Sequence, residues 1–298
     1  MSAAAADTSN IPNVALDASR KTRGWWVAFR SPSGLIGLGL MGVVVIIAML
    51  SVFGLTPADP ARQNIAEALS EPGAAHWFGT DQFGRDIFSR VSSGLANSLQ
   101  IALLSVAAAA IVGTLLGVLA GYYQGIMDRV VGVITNVLFA FPSLLLALAL
   151  AATLERNWVT VAISIGVVYM PIFARVARGP VLSLRTAEYV LASTAIGRSR
   201  LSTLFEHVIP NMQGILVVQV TLSLSWAILT EAALSFLGFG TPPPAASLGG
   251  MVYDAQTLAS VAPWMLLFPG VALVIAVIGL NVLGDTLRAA LDPKTGGR

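Results

Sequence analysis

The sequence predicts an all-α polytopic membrane protein with six transmembrane helices, and three observations carry that prediction. Of 298 residues, 56% are hydrophobic and 11% charged, with a mean hydropathy of +0.79, which is too apolar for an ordinary soluble domain. Uncharged runs long enough to cross a hydrocarbon core of about 30 Å recur along the chain. Between two of them lies a charged segment, residues 185–211, that cannot lie in lipid.

Residues 1–23 are rich in Ala, Ser, Asn and Asp with no apolar period, which predicts a disordered tail. Basic residues Arg20, Lys21, Arg23 and Arg30 precede the first apolar run, about 34–55. That run is longer than the roughly 7–15 apolar residues of a cleaved signal peptide, so it reads as a first span. Residues 56–97 form the longest polar connection. Within it Asp81, Arg85 and Asp86 stand where an ion pair and a helix cap could form, and that structural reading outweighs substrate contact.

No residue from 91 to 127 is charged, and the second span is placed at about 98–120. A tight turn over 121–129 leads to a third run, 130–154, which Pro142 should kink. The fourth span, 157–174, is of marginal length and is closed by Arg175 and Arg178.

The charged segment 185–211 reads as two short helices hinged at Gly197. The first covers about 187–196. The second has Ser199 as its N-cap and is stopped by Pro210. Leu201, Leu204, Phe205 and Val208 keep the spacing of an amphipathic helix. Such a bracket suits docking into the groove of a soluble partner, and a plain solvated loop is the alternative.

The fifth run, from about 212 to 237, contains Glu231 near its far end. A carboxylate there either faces the bundle interior or is an interface residue satisfied by backbone. Gly238, Gly240 and Pro242 to Pro244 end that helix in an ordered turn or re-entrant loop. The sixth span follows at 264–284.

Six spans put both termini on one side, which then holds 13 of the 17 Lys and Arg residues, the bracket included. The positive-inside bias makes that side cytoplasmic. No phosphate-binding GxxxxGK[ST] word occurs, so ATP hydrolysis is not expected in this chain. Neither GxSxG nor HExxH occurs, so no catalytic residue is assigned. His76 and His207 fall on opposite sides of the membrane and cannot share a metal. The chain also lacks a basic patch with interleaved aromatics, which argues against nucleic acid. A stand-alone secondary transporter or channel would ordinarily show several ionisable groups within its spans, or an inverted repeat. Glu231 is the one candidate and no repeat is evident.

Several words are more specific. HWFGTDQFGRDIFSR contains Gly79, Thr80, Asp81, Gly84, Arg85 and Asp86; further on come GYYQGIMDR, AFP, EYV, HVIPN, LGFGTPPP and NVLGDTLRAALDP. Together these resemble the ABC importer permeases of the dipeptide, oligopeptide and nickel branch, specifically their second, C-type subunit, over about residues 24–293. In that family segment 185–211 is the coupling loop. Its Glu-Ala-Ala word stands here as Leu191, Ala192 and Ser193, followed by Gly197 and Pro210.

The resemblance implies a tail over 1–23, a first helix and external loop over 24–97, a core of five spans over 98–293 and a short tail over 294–298. It implies that Glu188, Tyr189, Leu191, Ala192, Ser193, Gly197, Arg198 and Arg200 meet an ATPase subunit. Phe141, Pro142 and Glu231 are candidates for the pathway or gate. The implied partners are a second homologous permease in a heterodimer, two ATPase subunits that bind ATP and Mg, and an extracytoplasmic substrate-binding protein, all at a bacterial inner or plasma membrane. The expected cargo is a di- or oligopeptide, with nickel or another small chelate as alternatives.

Overall fold

The structure is a computed structural model that describes residues 29–291. The expected tails at 1–23 and 294–298 lie outside the described residues. The described residues are helical apart from turns, one short 3₁₀ turn and an isolated bridge between Thr80 and Asp86. The helices are α1 Pro32–Val52, α2 Ile87–Tyr123, α3 Gly125–Phe139, α4 Ser143–Thr153, α5 Trp158–Leu184, α6 Glu188–Ala195, α7 Arg200–Phe236, α8 Leu248–Ala255 and α9 Trp264–Leu291. Five of them (α1, α2, α5, α7 and α9) are long and apolar enough to cross a membrane, and α3 with α4 makes a sixth span if the bent pair counts as one.

Four sequence expectations are corrected. The second span starts at Ile87 rather than near Ser98, because Asp86 caps it by accepting from the Ser89 amide at 2.8 Å. Its first turns carry buried Ser89, Arg90 and Ser92, which are covered by the preceding loop and so need not be apolar. The third span is broken rather than kinked: α3 and α4 meet at 92°. Pro142 disfavours helical geometry in the residue before it, so α3 ends at Phe139 and α4 starts afresh after Pro142.

The fourth span does not stop at Ala174 but runs on to Leu184. Arg175 and Arg178 are tolerated inside it because α3 supplies their partners. Finally, Pro210 does not end a helix. It lies in the first turn after a π segment, Leu204–Val208, where the Ile209 amide reaches back five residues to Leu204. That widened turn lets the chain run unbroken from Arg200 to Phe236.

Packing centres on α2 and α5, the most extensive helix pair. Gly113, Gly117 and Gly121 recur every fourth residue on α2 and face α5. A Cβ at Gly113 or Gly117 would fall on the carbonyl oxygen of Met170 or Ala174. The stripe therefore sets how closely the two backbones approach, the means by which membrane helices pack without a hydrophobic drive. Around this pair α9 packs on α1 and α7, and α7 packs on α2.

The loop between α1 and α2 is a compact cap. The Leu69 amide donates to Asp81 at 3.0 Å, and the Ile87 amide to Gly79 at 3.1 Å. Gly84, at φ +68°, brings its backbone against Asn64 where a side chain would collide. Phe78 stacks on Phe268 of α9 with ring centroids 3.9 Å apart, and the Trp264 indole donates to the Thr80 carbonyl at 3.1 Å.

Candidate functional site

The bracket is α6, the turn at Gly197 and the first two turns of α7. Ser199 caps α7 by accepting from the Ser202 amide at 3.2 Å. Gly197 stands at φ +83°, a conformation that suits glycine and that a β-carbon penalises. Across the turn Arg198 pairs with Glu206, and the Ser202 hydroxyl donates to Glu206 at 2.8 Å.

The inner face of the bracket is anchored. Val190, Leu204, Val208 and Met212 are buried with Val118 of α2 and with Ala177 and Val181 of α5. Each such side chain contributes about 1.5–3 kcal/mol. This second core, separate from the main one, fuses the bracket to the ends of α2 and α5. Through the π turn it is also continuous with α7.

The outer face is apolar and open. Leu191 is 54% exposed, Ile196 78% and Phe205 61%, with Tyr189 and Leu201 beside them. Of the eight residues expected to meet a partner, Glu188, Tyr189, Leu191, Ala192, Gly197, Arg198 and Arg200 are exposed. Ser193 is the exception. It is buried, and its hydroxyl lies 3.1 Å from that of Thr203, tying α6 to α7 from within.

Glu231 lies far from the bracket, near the other end of α7. It is fully buried, and its hydrogen-bond partners among the described residues are two side-chain hydroxyls. Ser98 of α2 donates to Oε2 at 2.6 Å and Ser235 to Oε1 at 2.7 Å, so the carboxyl group cross-links two helices. Phe141 and Pro142 are exposed at the break between α3 and α4, and the fold does not bring them together with Glu231.

In the loop between α1 and α2, Gly79, Thr80, Asp81, Gly84, Arg85 and Asp86 do come together. Asp81 Oδ2 is 2.6 Å from Arg85 Nε and 3.5 Å from Arg90 Nε, and Arg85 reaches Asp254 of α8 at 4.0 Å. The Asp81–Arg85 pair spans a turn rather than a helix, in which the Phe83 and Arg85 amides donate to Asp81 Oδ1. Burial pushes the Asp254 carboxyl up from its ordinary range, against the pull of Arg85 and Arg90. These groups clamp the loop to α2 and α8. The ion pair and helix cap expected of Asp81, Arg85 and Asp86 are present, and with Arg90 and Asp254 they form a structural brace.

Two features were not read from the sequence, and a third was read only in part. The glycine stripe of α2 was legible in its four-residue spacing. The exposed apolar face of the bracket was partly legible at Leu201 and Phe205. The pairing of Arg178 with Asp128, which joins α3 to α5, is visible only once the two helices are packed.

Comparison with known proteins places this arrangement. Residues 113–297 match the family described as binding-protein-dependent transport system inner membrane component. The dipeptide transport system permease protein DppC of Alkalihalophilus pseudofirmus is 41% identical, over 86% of each chain. The oligopeptide transport system permease protein OppC of Bacillus subtilis is 37% identical, over 93% of this chain and 92% of that one. The glutathione transport system permease protein GsiD of Pectobacterium atrosepticum is 37% identical, over 91% of each. A chain of the MetNI methionine ABC transporter, solved in inward-facing conformations, shares the fold at a TM-score of 0.57 and 20% identity, covering 69% of this chain and 98% of that one. The chain belongs to the family of binding-protein-dependent transport system inner membrane components, as a permease subunit of an ABC importer.

Proposed function

We propose that the cargo is a di- or oligopeptide and that the bracket at 185–211 is the surface on which a separate ATPase subunit acts. The observation that carries the coupling reading is an exposed apolar face, Tyr189, Leu191, Ile196, Leu201 and Phe205, mounted on a frame rooted in three spans. An apolar face of this kind on the water side suits a groove in a soluble partner. A push on it is delivered to α2 and α5 through the second core and to α7 along the helix itself, so the spans move as packed bodies between inward-open and outward-open states. The cargo reading is supported by what the relatives are named for: dipeptide, oligopeptide and glutathione transport.

In this reading the bracket and both termini are cytoplasmic, with the loop at 56–86 outside. A second permease completes the pathway, two ATPase subunits hold ATP and Mg, and an external binding protein delivers the peptide. The test is Gly197→Trp in the reconstituted transporter. A β-carbon at φ +83° strains the hinge, and the indole stands on the outer face. ATP hydrolysis should continue while peptide uptake falls at least tenfold. Gly197→Asn, which tolerates a left-handed conformation, should stay within a few-fold of wild type. Wild-type uptake by Gly197→Trp would count against the bracket's role.

A further inference from the structure

His76 lies in the loop between α1 and α2 with both ring nitrogens against carboxylates. Nδ1 is 2.8 Å from Asp86 Oδ2, and Nε2 is 3.3 Å from Glu67 Oε2. Carboxylate oxygens accept and do not donate, and only an imidazolium carries an N–H on each nitrogen. Both contacts are therefore satisfied together in the protonated ring alone. A neutral ring keeps one N–H. The Asp86 side chain is 2% exposed and that of Glu67 50%, so the remaining proton stays on Nδ1, facing the buried carboxylate. The Glu67 contact is the one that opens.

Asp86 is the cap of α2, and its Oδ1 accepts from the amide and the hydroxyl of Ser89, each at 2.8 Å. Glu67 closes the short turn Ile65–Glu67, and its carbonyl accepts from the Thr80 hydroxyl at 2.5 Å. The Thr80 carbonyl in turn accepts from Trp264, the first residue of α9, at 3.1 Å. His76 thus stands between the start of α2 and a chain of bonds that leads to the start of α9. Among the described residues, the charged groups that act on the ring are Asp86 and Glu67. The neighbouring Asp81, Arg85, Arg90 and Asp254 engage one another. The bond to Asp86 raises the imidazole pKa above its ordinary 6.5, against burial and with help from Glu67.

We propose that Glu67, His76 and Asp86 form a proton-operated clasp that holds the starts of α2 and α9 together, so that acid on its side of the membrane favours uptake; its place outside rests on the orientation proposed above. With the ring charged, Glu67 is held, its turn is fixed and Thr80 keeps its joins to Glu67 and Trp264. The two spans then move together when the bracket is pushed. Loss of the proton frees Glu67 into solvent and loosens the turn, and part of the stroke is lost in slack between α2 and α9. The clasp is complete below pH 6.5 and is lost as pH rises through the raised folded value.

The test uses the assembled transporter in vesicles, with ATP at fixed pH in the lumen and binding protein loaded with trialanine outside. Outer pH is taken from about 5.5 to about 8.5, across the range in which a histidine titrates. Each variant is read against wild type at the same pH, so that titration of the peptide or the binding protein cancels. Glu67→Gln accepts from the charged ring through its oxygen and donates to the neutral ring through its amide, so its clasp holds in either state. Its uptake should match wild type in acid and exceed it about threefold at the alkaline end, the scale of a half-exposed ion pair. Glu67→Ala should do the reverse, starting about threefold below wild type in acid and meeting it at the alkaline end. Both replace an exposed side chain, and normal co-purification of the subunits is expected. Ratios that stay constant under outer and lumenal pH alike, or that move the same way in both variants, overturn the clasp and leave the orientation standing. If the ratios respond to lumenal pH alone, the loop lies inside, so the orientation fails and external sensing fails with it.

Discussion

At the scale of single residues, the polar groups inside this protein join elements together. Glu231 accepts from Ser98 and Ser235 and thereby ties α7 to α2. Replacing it with Leu leaves both hydroxyls without that acceptor, at a cost of about 1–3 kcal/mol for a buried unpaired group. Glu231→Gln keeps one oxygen and should cost less. Melting of the purified complex in detergent should therefore drop further for Leu than for Gln, and the opposite order would remove the cross-link role. His76 shows a second kind of join, bonding Asp86 at 2.8 Å and Glu67 at 3.3 Å. The hydrogen bond to Asp86, with help from Glu67 and against a burial penalty, raises the imidazole pKa above its ordinary 6.5. The sign follows from linkage: the pair's contribution is complete below pH 6.5 and is lost as pH rises through the raised folded value. Hydrogen exchange of the loop amides should quicken over that window, and His76→Gln should flatten the profile.

At the scale of elements, the signals that end or join helices worked where they were local and failed where a neighbour overruled them. Ser199 and Gly197 punctuate the bracket as expected from their backbone preferences. Arg175, Arg178 and Pro210 were expected to end helices, yet all three lie inside them. Asp128 matches the charge of Arg178, Asn136 accepts a hydrogen bond from Arg175, and a π turn accommodates the proline. Sequence spacing within one helix cannot reveal a partner on another. The α2–α5 contact makes its own prediction. Gly117→Leu places a side chain where the Ala174 backbone already lies, and overpacking of this kind costs about 1–3 kcal/mol or more. The variant should give less folded protein and a lower melting temperature, whereas a bulky residue at Gly132, which has open space around it, should not. Equal tolerance at both positions would show that the stripe does not set the helix approach.

At the scale of the whole molecule, the chain is a bundle with two cores, one between the spans and one beneath the bracket. The orientation proposed from basic residues can be checked directly, because the chain contains no cysteine. A membrane-impermeant maleimide should label Glu71→Cys in intact cells, and Ile196→Cys only in opened ones. The reverse pattern would invert the topology and remove the bracket from any cytoplasmic partner.

The sequence by itself determined the class of the protein, the approximate spans and the hinge of the bracket. These follow from properties a residue carries wherever it is placed: the transfer cost of charge into lipid, the φ of glycine, and the hydrogen-bonding of Ser and Asp at helix starts. Packing alone establishes that the third span turns through 92°, that Ser193 faces inward, that Glu231 is a cross-link and that Arg178 pairs with the carboxylate of Asp128. Each of those depends on which atoms of a distant segment lie within hydrogen-bonding or packing distance, and spacing along one helix does not contain that information.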